Sequence, residues 1–390
     1  MDRRRFLLRS LAALGGTLLV RRALAQKPVV SDAPAAAFDT LRYTLPDSAA
    51  AAAPLKSVML AAGGDTVLGY NLQDHFDQQL AAGVPKEELW PLYFAGVRDV
   101  LDVADIALVN LECPFTERGV KLPKNFNFRA RRELVEILKR GSVDVVSMAN
   151  NHAMDWGPDG VDDTRLTLEE AGIAHFGAGD DLGEARRPAI LERGGMKVGF
   201  LGYYFQAGDD MIEPEAVYAK GNRAGVAGCY RSVRCIRRQV HEDVERWASE
   251  VDALVPYFHW GHEGSYQVRD YQIELAHLCV DLGCRAVLGA HPHRLQGIEV
   301  YKGAPIFYSL GNFVYGGIKD PEDWLTLIAR LHITPSAVEA EAIPVRFTRW
   351  PEAPFQPFVL EGEERAKALA RIEELSAGFT QTLPSMAPAR

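Results

Sequence analysis

Several short apolar segments of this chain end in side chains that bind metals or exchange protons. Residues 58–62 precede Asp65, residues 106–109 precede Glu112, residues 143–148 precede Asn150-Asn151-His152, residues 253–258 precede His259-Trp260-Gly261-His262-Glu263, and residues 286–288 precede His291-Pro292-His293. In an open α/β sheet the carboxyl ends of neighbouring strands share one crevice, so these side chains are expected to converge there. Carboxylate, amide and imidazole groups are ligands of divalent metals. The pattern therefore predicts a metal-dependent hydrolase.

The apolar segments alternate with stretches of helical periodicity. Apolar residues spaced at i, i+3 and i+4 predict helices over residues 89–105, 131–140, 162–171, 233–250 and 270–282, and a last helix over 361–377. Further strands are predicted over residues 196–204, 305–313, 324–333 and 337–347. This alternation predicts an α/β fold over residues 57–377, with helices packed outside a sheet, followed by a flexible tail over 378–390.

The first 25 residues have the pattern of a twin-arginine export signal. Three consecutive arginines at 3–5 precede an apolar stretch over residues 11–20, and Ala23-Leu24-Ala25 offers a cleavage site of small residues. The apolar stretch is shorter than the roughly 20 residues that span a bilayer. We therefore expect an exported, periplasmic protein, with an uncleaved membrane tether as the alternative. Residues 26–56, rich in Ala and Pro, predict a spacer.

The charge balance excludes one class of partner. The chain carries 52 acidic residues against 43 Lys and Arg, a formal charge of −9, and without residues 1–25, which hold six Arg and one Asp, the charge becomes −14. Nucleic acid is an unsuitable partner because phosphate contacts need lysine and arginine. An anionic substrate would have to be held by a local positive feature such as a metal.

The five cysteines leave their pairing open. Cys229 with Cys235, and Cys279 with Cys284, are close enough in sequence for local disulfides in an oxidising compartment. Buried free thiols are the alternative for Cys279 and Cys284, and the spacing of the five matches no zinc-finger pattern.

Each candidate ligand also has a purely structural interpretation. Asp65 follows two glycines and suits a turn or a helix cap, and Glu112 could pair with an arginine. The proline between His291 and His293 favours an extended backbone at His291, which would put both imidazoles on one face. Five of the ten histidines lie at predicted strand ends, which favours a metal site over isolated core histidines.

Five segments together resemble the signature motifs of the poly-γ-glutamate capsule (CapA) family. They are Asn110-Leu111-Glu112, Ala149-Asn150-Asn151-His152-Ala153-Met154-Asp155-Trp156-Gly157, His259-Trp260-Gly261-His262-Glu263, Gly289-Ala290-His291-Pro292-His293 and Tyr308-Ser309-Leu310-Gly311-Asn312-Phe313. Their order and spacing match over residues 57–315. Because that family is related to the calcineurin-like metallophosphoesterases, the resemblance implies a four-layer α/β-sandwich with two central mixed sheets and a two-metal site.

The resemblance also implies residue roles. Position by position, it implies metal ligands at Asp65, Glu112 (bridging), Asn151, His259, His291 and His293, catalytic roles for His152 and Glu263, and supporting roles for Asn150, His262 and Asn312. Apart from the resemblance, Lys124 and Arg129 are candidates for contact with an anionic substrate, with solvent-facing charges as the alternative, and Trp260 is a candidate for the cleft lining, with core packing as the alternative. The implied cofactor is one or two divalent ions of Mn, Zn or Fe.

Two departures from the metallophosphoesterase pattern bear on function. Val67 stands where those enzymes carry a histidine two residues after the first aspartate, and Glu112 replaces an aspartate. One metal, or two of unequal affinity, is therefore expected. The leading hypothesis is a hydrolase acting on a phosphoester or on an amide of an anionic polymer. The alternatives are a non-catalytic accessory that works with membrane-bound capsule-assembly proteins, and a module that binds phosphate-containing ligands.

Overall fold

A computed structural model describes residues 56–210 and 213–383. The predicted signal over 1–25, all of the predicted spacer except Lys56, and residues 384–390 of the predicted tail lie outside the described residues.

Sixteen strands and nine helices make up the described part of the chain. The strands are β1 (Val58–Val67), β2 (Ile106–Leu111), β3 (Val145–Ser147), β4 (Ala174–Phe176), β5 (Ala178–Gly179), β6 (Ala189–Arg193), β7 (Met196–Phe205), β8 (Gly225–Val226), β9 (Ala253–Trp260), β10 (Val287–Ala290), β11 (Ile298–Tyr301), β12 (Ala304–Phe307), β13 (Asn312–Tyr315), β14 (Leu325–Ile333), β15 (Val338–Arg346) and β16 (Phe358–Val359). The helices are α1 (Asn71–Ala81), α2 (Lys86–Leu89), α3 (Arg98–Asp102), α4 (Val135–Arg140), α5 (Gly157–Ala171), α6 (Leu182–Ala185), α7 (Val233–Trp247), α8 (Asp270–Asp281) and α9 (Gly362–Ser376). Short 3₁₀ turns lie at Trp90–Phe94, Arg132–Leu134, Gly208–Asp210 and Glu215–Val217.

Two large mixed sheets carry most of the strands. In the eight-stranded sheet the order is β16-β15-β14-β1-β2-β3-β4, and β13 also pairs with β1. Strands β1 to β4 run parallel, whereas β14, β15 and β16 are antiparallel to their neighbours. The six-stranded sheet has the order β11-β12-β10-β9-β7-β6, with a parallel centre and an antiparallel strand at each edge. The predicted α/β class and its two mixed sheets are confirmed; the four-layer arrangement stays a prediction.

Strand periodicity divides the apolar residues between separate clusters. Successive side chains of a strand point to opposite faces of the sheet, so Leu60 and Ala61 of β1 belong to different clusters. The cluster that contains Leu60 also contains Val198 and Val255, which belong to the six-stranded sheet. The other face of β1 packs in a cluster with Phe76 of α1. The central strands β2, β9 and β10 are buried at every residue, which explains their nearly continuous apolar sequence.

Two predicted elements are interrupted in the structure. The helix expected over residues 89–105 is a 3₁₀ turn at Trp90–Phe94 followed by the short α3. Between these two elements lies Gly96, where another segment packs so closely that a Cβ would lie 2.4 Å from the backbone oxygen of Pro357. The strand expected over residues 305–313 is divided into β12 and β13, because Gly311 just before β13 has a φ of +76° that extended strands do not adopt.

The first part of the predicted flexible tail is packed against the fold. The Phe379 ring stacks on Tyr308 with ring centroids 5.1 Å apart. The backbone amide of Val300 donates to the carbonyl of Gln381 at 2.9 Å, and Leu383 is buried. The prediction of a flexible tail is therefore wrong for residues 378–383, because apolar side chains tie this segment to the six-stranded sheet.

The structure shows which cysteines pair and whether any described helix could span a membrane. Cys229 and Cys235 form a disulfide, whereas Cys113, Cys279 and Cys284 are buried free thiols. Over residues 56–210 and 213–383, no helix combines the length and apolar character needed to cross a membrane.

Candidate metal centre

The ends of strands from both large sheets meet at one buried site. Asp65 of β1 lies in register with Asn110 of β2 and Asn312 of β13. His259 lies near the end of β9 and pairs with Ala290, the last residue of β10. β13 can approach β1 closely because Gly64 has no side chain; a Cβ there would lie 1.9 Å from the carbonyl oxygen of Gly311. The predicted convergence of strand ends is thus present in the structure.

One group of donor atoms consists of Glu112, His259 and His291. His259 Nε2 lies 3.3 Å from Glu112 Oε1 and 2.9 Å from His291 Nδ1. The Asn151 side-chain oxygen lies 2.8 Å from the same His259 nitrogen. All of these side chains are buried. Four side chains from separate strands and loops therefore direct nitrogen and oxygen atoms to a common point.

A second group consists of Asp65, Glu112 and His293. His293 Nδ1 lies 3.1 Å from Asp65 Oδ2, and His293 Nε2 lies 4.0 Å from Glu112 Oε1. Within each of the two groups the donor atoms lie within 4.8 Å of one another. Glu112 belongs to both groups, which is the arrangement expected of a carboxylate that bridges two ions.

The residues present fit a bound divalent ion. Metal–ligand bonds of about 2.0–2.2 Å place neighbouring ligand atoms roughly 3.0–3.4 Å apart, close to the separations in the first group. Both carboxylate oxygens of Glu112 are buried and have no hydrogen-bond partner among the described residues. A buried carboxylate is normally paired or bound to a metal. The geometry, and a buried carboxylate without a hydrogen-bond partner among the described residues, together make this a candidate metal centre.

The protonation equilibria suit metal ligands. Burial lowers the pKa of His259 to about 3 and that of His291 well below its ordinary value, so both imidazoles are neutral, the form that binds metals. Burial, and next the charge of Asp65, raises the pKa of Glu112 well above its ordinary value. Burial also opposes ionisation of Asp65, but its hydrogen bond with His293 and the charges of His259 and His293 together outweigh this and lower its pKa. A cation at the site would favour the ionised form of Glu112.

Sequence reasoning missed several residues that orient the ligands. Asn110 Nδ2 donates to Asp65 Oδ1 at 2.8 Å, and the side chain of Gln206 lies 2.6 Å from His291 Nε2. The Tyr315 hydroxyl lies 3.3 Å from His293 Nε2. Asn110 stands inside a quoted motif and Gln206 lies two residues after the strand predicted over 196–204, so the strand-end rule could have found both.

His152 is held by three contacts beside the donor groups. Its Nδ1 lies 2.7 Å from Asp155 Oδ2, and its ring stacks on Phe128 with centroids 4.2 Å apart. The Asn150 side-chain oxygen accepts from the backbone amides of His152 and Ala153. If Nδ1 carries the proton donated to Asp155, Nε2 is the atom left for proton exchange.

Lys124 lies behind this loop rather than on an open surface. Its ammonium lies 2.8 Å from Asp155 Oδ1 and 3.1 Å from Glu213 Oε2, and it donates to the Asn151 carbonyl at 2.7 Å. Glu213 in turn accepts from the Asn151 amide at 3.3 Å. The side chain of Lys124 is only 5% exposed. Lys124 therefore holds the Asn151–Asp155 loop in place, whereas the sequence suggested a substrate contact.

The His291-Pro292-His293 segment reaches the site by an unexpected backbone path. His291 has a φ of +100° and His293 a φ of +54°. The prediction of an extended backbone at His291 is therefore wrong, although both imidazoles do reach the centre. Positive φ values in residues other than glycine are uncommon and concentrate at functional sites.

Three of the remaining predicted site residues line a cleft beside the metal centre. Glu263, His262 and Asn312 line a cleft of about 790 Å³ next to His293. The Asn312 oxygen lies 2.9 Å from His293 Nδ1, and His262 is half-exposed and pairs with Asp210 at 3.2 Å. Other residues of this cleft are Phe126, Phe128, Gln206, Asp210, Gly264, Arg294, Tyr315, Gly317, Ile318, Asp320, Pro321 and Glu322.

Trp260 and Arg129, which were predicted to contact the substrate, are not among the residues that line this cleft. Trp260 is fully buried, and its indole nitrogen donates to the Tyr308 carbonyl at 2.8 Å, so it belongs to the core. Exposed Arg129 lies over the Trp156 ring at 4.0 Å. Val67 is buried in the apolar cluster of the eight-stranded sheet and supplies no ligand atom.

Comparison with known proteins assigns the chain to a family. The sequence profile described as "Bacterial capsule synthesis protein PGA_cap" matches residues 59–316, from β1 to just beyond β13. The chain belongs to this family. The matched region contains every residue of the two donor groups.

Several relatives carry capsule or polyglutamate names. The PGA biosynthesis protein CapA of Bacillus subtilis is 29% identical over 255 residues, 65% of this chain and 62% of that protein. The capsule biosynthesis protein CapA of Bacillus anthracis is 31% identical over 195 residues, 50% of this chain and 46% of that protein. A Mycobacterium tuberculosis protein described as "Probable polyglutamine synthesis accessory protein" is 31% identical over 261 residues, 63% of this chain and 67% of that protein.

The matched regions are partial. This chain spans less than two thirds of the length of the two Bacillus proteins. Among solved structures, a hypothetical protein from Thermus thermophilus aligns with a TM-score of 0.43 and 15% identity, over 73% of this chain and 99% of that protein.

Proposed function

We propose that this protein is an exported, periplasmic, metal-dependent hydrolase of poly-γ-glutamate or capsule polymer metabolism. Its substrate would be a phosphoester or an amide of an anionic polymer. The observation that carries the proposal is Glu112, a buried carboxylate without a hydrogen-bond partner among the described residues that is shared by two groups of metal-type donors. The names of the relatives support the polymer connection.

The proposed ligands would hold one or two divalent ions. Glu112, His259, His291 and Asn151 would bind one ion, and Asp65, Glu112 and His293 would bind the other, less completely. Such an ion supplies Lewis-acid activation of water at neutral pH. Val67 offers no donor atom, so the second group has fewer ligands, and we expect unequal affinities at the two positions.

The chain's own residues would position the substrate and move the proton. Hydrolysis adds water across the scissile bond, and the leaving oxygen or nitrogen must receive a proton. His152, anchored at Nδ1 by Asp155, would accept a proton released by the attacking water at Nε2 and pass it to the leaving atom. Glu263 and Asn312 on the cleft wall would contact the substrate or its water.

Metal content is the first test of this function. Purified protein should contain about one to two equivalents of a transition metal, and His291→Ala should lose most of it because the first group then lacks an imidazole. Elemental analysis of the two proteins measures this. A matched change at an exposed histidine, His241→Ala on α7, should leave the metal content unchanged. Absence of metal after purification without chelators and after reconstitution would refute the hydrolase proposal.

A non-catalytic accessory is the second candidate function. The burial of Val67 in the core and the accessory description of the Mycobacterium relative favour it. His152→Ala separates the two candidates, since His152 is outside both donor groups. A hydrolase should keep its metal and lose about 10²–10⁴-fold of its turnover of phosphoester or γ-glutamyl substrates. If metal-loaded wild type turns over neither substrate class, the accessory role is favoured.

A further inference from the structure

One stretch of this acidic chain contains no acidic residue. Residues 216–241 lie between Glu215 and Glu242 and carry six exposed cationic side chains: Lys220, Arg223, Arg231, Arg234, Arg237 and Arg238. We call these six residues the basic surface. Acidic residues outnumber Lys and Arg by 52 to 43 over the whole chain. The basic surface is therefore a local positive patch on a protein whose overall charge is negative.

The fold connects the basic surface to the edge that carries the metal centre. Gly228 pairs with Tyr204 at the end of β7, and Arg231 pairs with Ala207. Ala207 directly follows Gln206, whose side chain lies 2.6 Å from His291 Nε2. The segment that carries Arg231 therefore runs beside the residues that hold the candidate metal ligands.

Two further contacts bring the cationic residues together. The Cys229–Cys235 disulfide joins the loop at Tyr230 to the first turn of α7. The Tyr218 ring stacks on Tyr204 with centroids 5.2 Å apart. These contacts place the loop cations beside those of the helix.

Helix α7 has an electrostatically unfavourable start. Its first turn contains no acidic residue, and Arg234, Arg237 and Arg238 lie in its first two turns. The amino end of a helix carries partial positive charge and favours anions, so cations there repel it. Arg237 pairs with Glu274 at 2.6 Å, whereas Arg234 has no ion pair within the described ranges. An anion bound at this end would relieve the repulsion.

A cavity of about 330 Å³ lies within the basic surface and is lined by Lys220, Arg223 and Arg238. Its two carboxylates both contact cations: Glu215 lies 3.1 Å from Lys220, and Glu242 lies 2.9 Å from Arg186 and 3.8 Å from Arg238. With Arg186, four cationic side chains line the cavity against these two carboxylates, so positive charge is in excess.

Gln239 supplies an independent sign of a missing ligand in this cavity. It lines the cavity and is only 6% exposed, yet its Nε2 has no hydrogen-bond partner among the described residues. A buried amide donor normally has a partner, and an unsatisfied one calls for an explanation. A carboxylate oxygen in the cavity would accept from it.

We propose that the basic surface binds the carboxylates of an anionic polymer chain that extends beyond the metal centre. The inference rests on the proposed function for the identity of the polymer. The cleft beside His293 is lined by Asp210, Glu263, Asp320 and Glu322, with Arg294 as its arginine. This lining does not attract a polyanion by itself. The basic surface provides the attraction, and the cleft receives only the segment at the metal centre.

Binding of labelled poly-L-glutamate to the purified full-length protein tests the proposal. The variant Lys220→Gln/Arg234→Gln/Arg238→Gln removes three exposed charges of the basic surface. The control Arg98→Gln/Lys139→Gln/Arg140→Gln removes three exposed charges from α3 and α4, which precede β2 and β3 and so lie toward the opposite ends of the strands. Fluorescence anisotropy measures the affinity of wild type and of both variants for the labelled polymer, at low and at physiological ionic strength.

The basic-surface variant should bind poly-L-glutamate roughly tenfold or more weakly, from three exposed charge contacts, while the control stays within about twofold of wild type. Wild-type affinity should fall as salt rises. Equal affinity of the two variants would overturn the proposal. So would the absence of saturable binding, or tighter binding of duplex DNA or of anionic phosphatidylglycerol vesicles than of poly-L-glutamate.

Glu112→Gln separates this inference from the hydrolase proposal. That variant keeps all six cations and should retain poly-L-glutamate binding in the presence of EDTA. If it loses binding, the polymer is held by the metal centre and the basic surface is not the site. Failure of the metal-loaded protein to hydrolyse either phosphoester or γ-glutamyl substrates would count against the hydrolase proposal and leave the binding result standing.

Discussion

Replacing Glu112 with glutamine should make the metal-free protein more stable. Glu112 is fully buried, and neither carboxylate oxygen has a hydrogen-bond partner among the described residues. An unsatisfied buried polar group costs about 1–3 kcal/mol, and a charged one costs more. Glutamine keeps the shape and removes the charge. We therefore expect a gain of about 1–3 kcal/mol in the free energy of unfolding, or roughly 2–6 °C in Tm.

The sign of the pH dependence follows from the raised pKa of Glu112. Burial and next the charge of Asp65 raise it well above the ordinary value of 4.5. The folded protein thus holds this proton more tightly than the unfolded chain. The resulting stability is fully present below the ordinary pKa and is lost as pH rises through the raised one. The advantage of Glu112→Gln should accordingly be larger at pH 8 than at pH 5.

Thermal unfolding in EDTA at the two pH values measures this difference. Adding Mn²⁺ or Zn²⁺ at a hundredfold excess over Kd should stabilise the wild type by about 2.7 kcal/mol and the variant much less. The control is Glu299→Gln, since Glu299 is also buried but accepts from the Tyr308 hydroxyl at 2.7 Å; that change should not stabilise. A metal-free Glu112→Gln protein less stable than wild type at both pH values would refute the reasoning.

Further predictions concern the buried ion pairs and the C-terminal segment. Lys124→Met leaves Asp155 and Glu213 buried without their cation and should lower the free energy of unfolding by about 3–5 kcal/mol in urea titrations; an unchanged transition midpoint would contradict the role given to Lys124. Leu383→Ala should lower the free energy of unfolding by about 2–4 kcal/mol in the same assay, because the side chain is buried. The control Val120→Ala, at an 81% exposed position, should change it little. Equal effects of the two changes would show that residues 378–383 do not contribute to the packed fold.

Much of the candidate site could be predicted because strand ends carry a local signal. Asp65, Glu112 and His259 each follow or end a continuous apolar segment, and parallel strands bring their carboxyl ends to one edge. The same rule applied to β7 would have indicated Gln206. Glu213 carries no such signal, since it lies in a loop far from any strand end and reaches the site only through Lys124 and Asn151.

The errors came from properties that depend on partners distant in sequence. Trp260 directly follows a predicted ligand, yet the carbonyl of Tyr308 holds it in the core. Lys124 is a charged residue in a loop, and only the tertiary fold puts two carboxylates against it. The tail was expected to be flexible because its sequence contains prolines, but Tyr308 and Val300 hold its first residues.

The sequence by itself determined the α/β class through its apolar periodicity and the family through the order of its motifs, because both are local properties of the chain. The mixed sheets were expected only because the family resemblance implied them. The sequence also determined which residue types could bind a metal. Only the tertiary structure decided that Lys124 lies against two buried carboxylates, that Val67 faces the core, and that the cations of residues 216–241 lie beside the metal edge. These outcomes depend on strand register and loop packing, which arise from contacts between residues far apart in the chain.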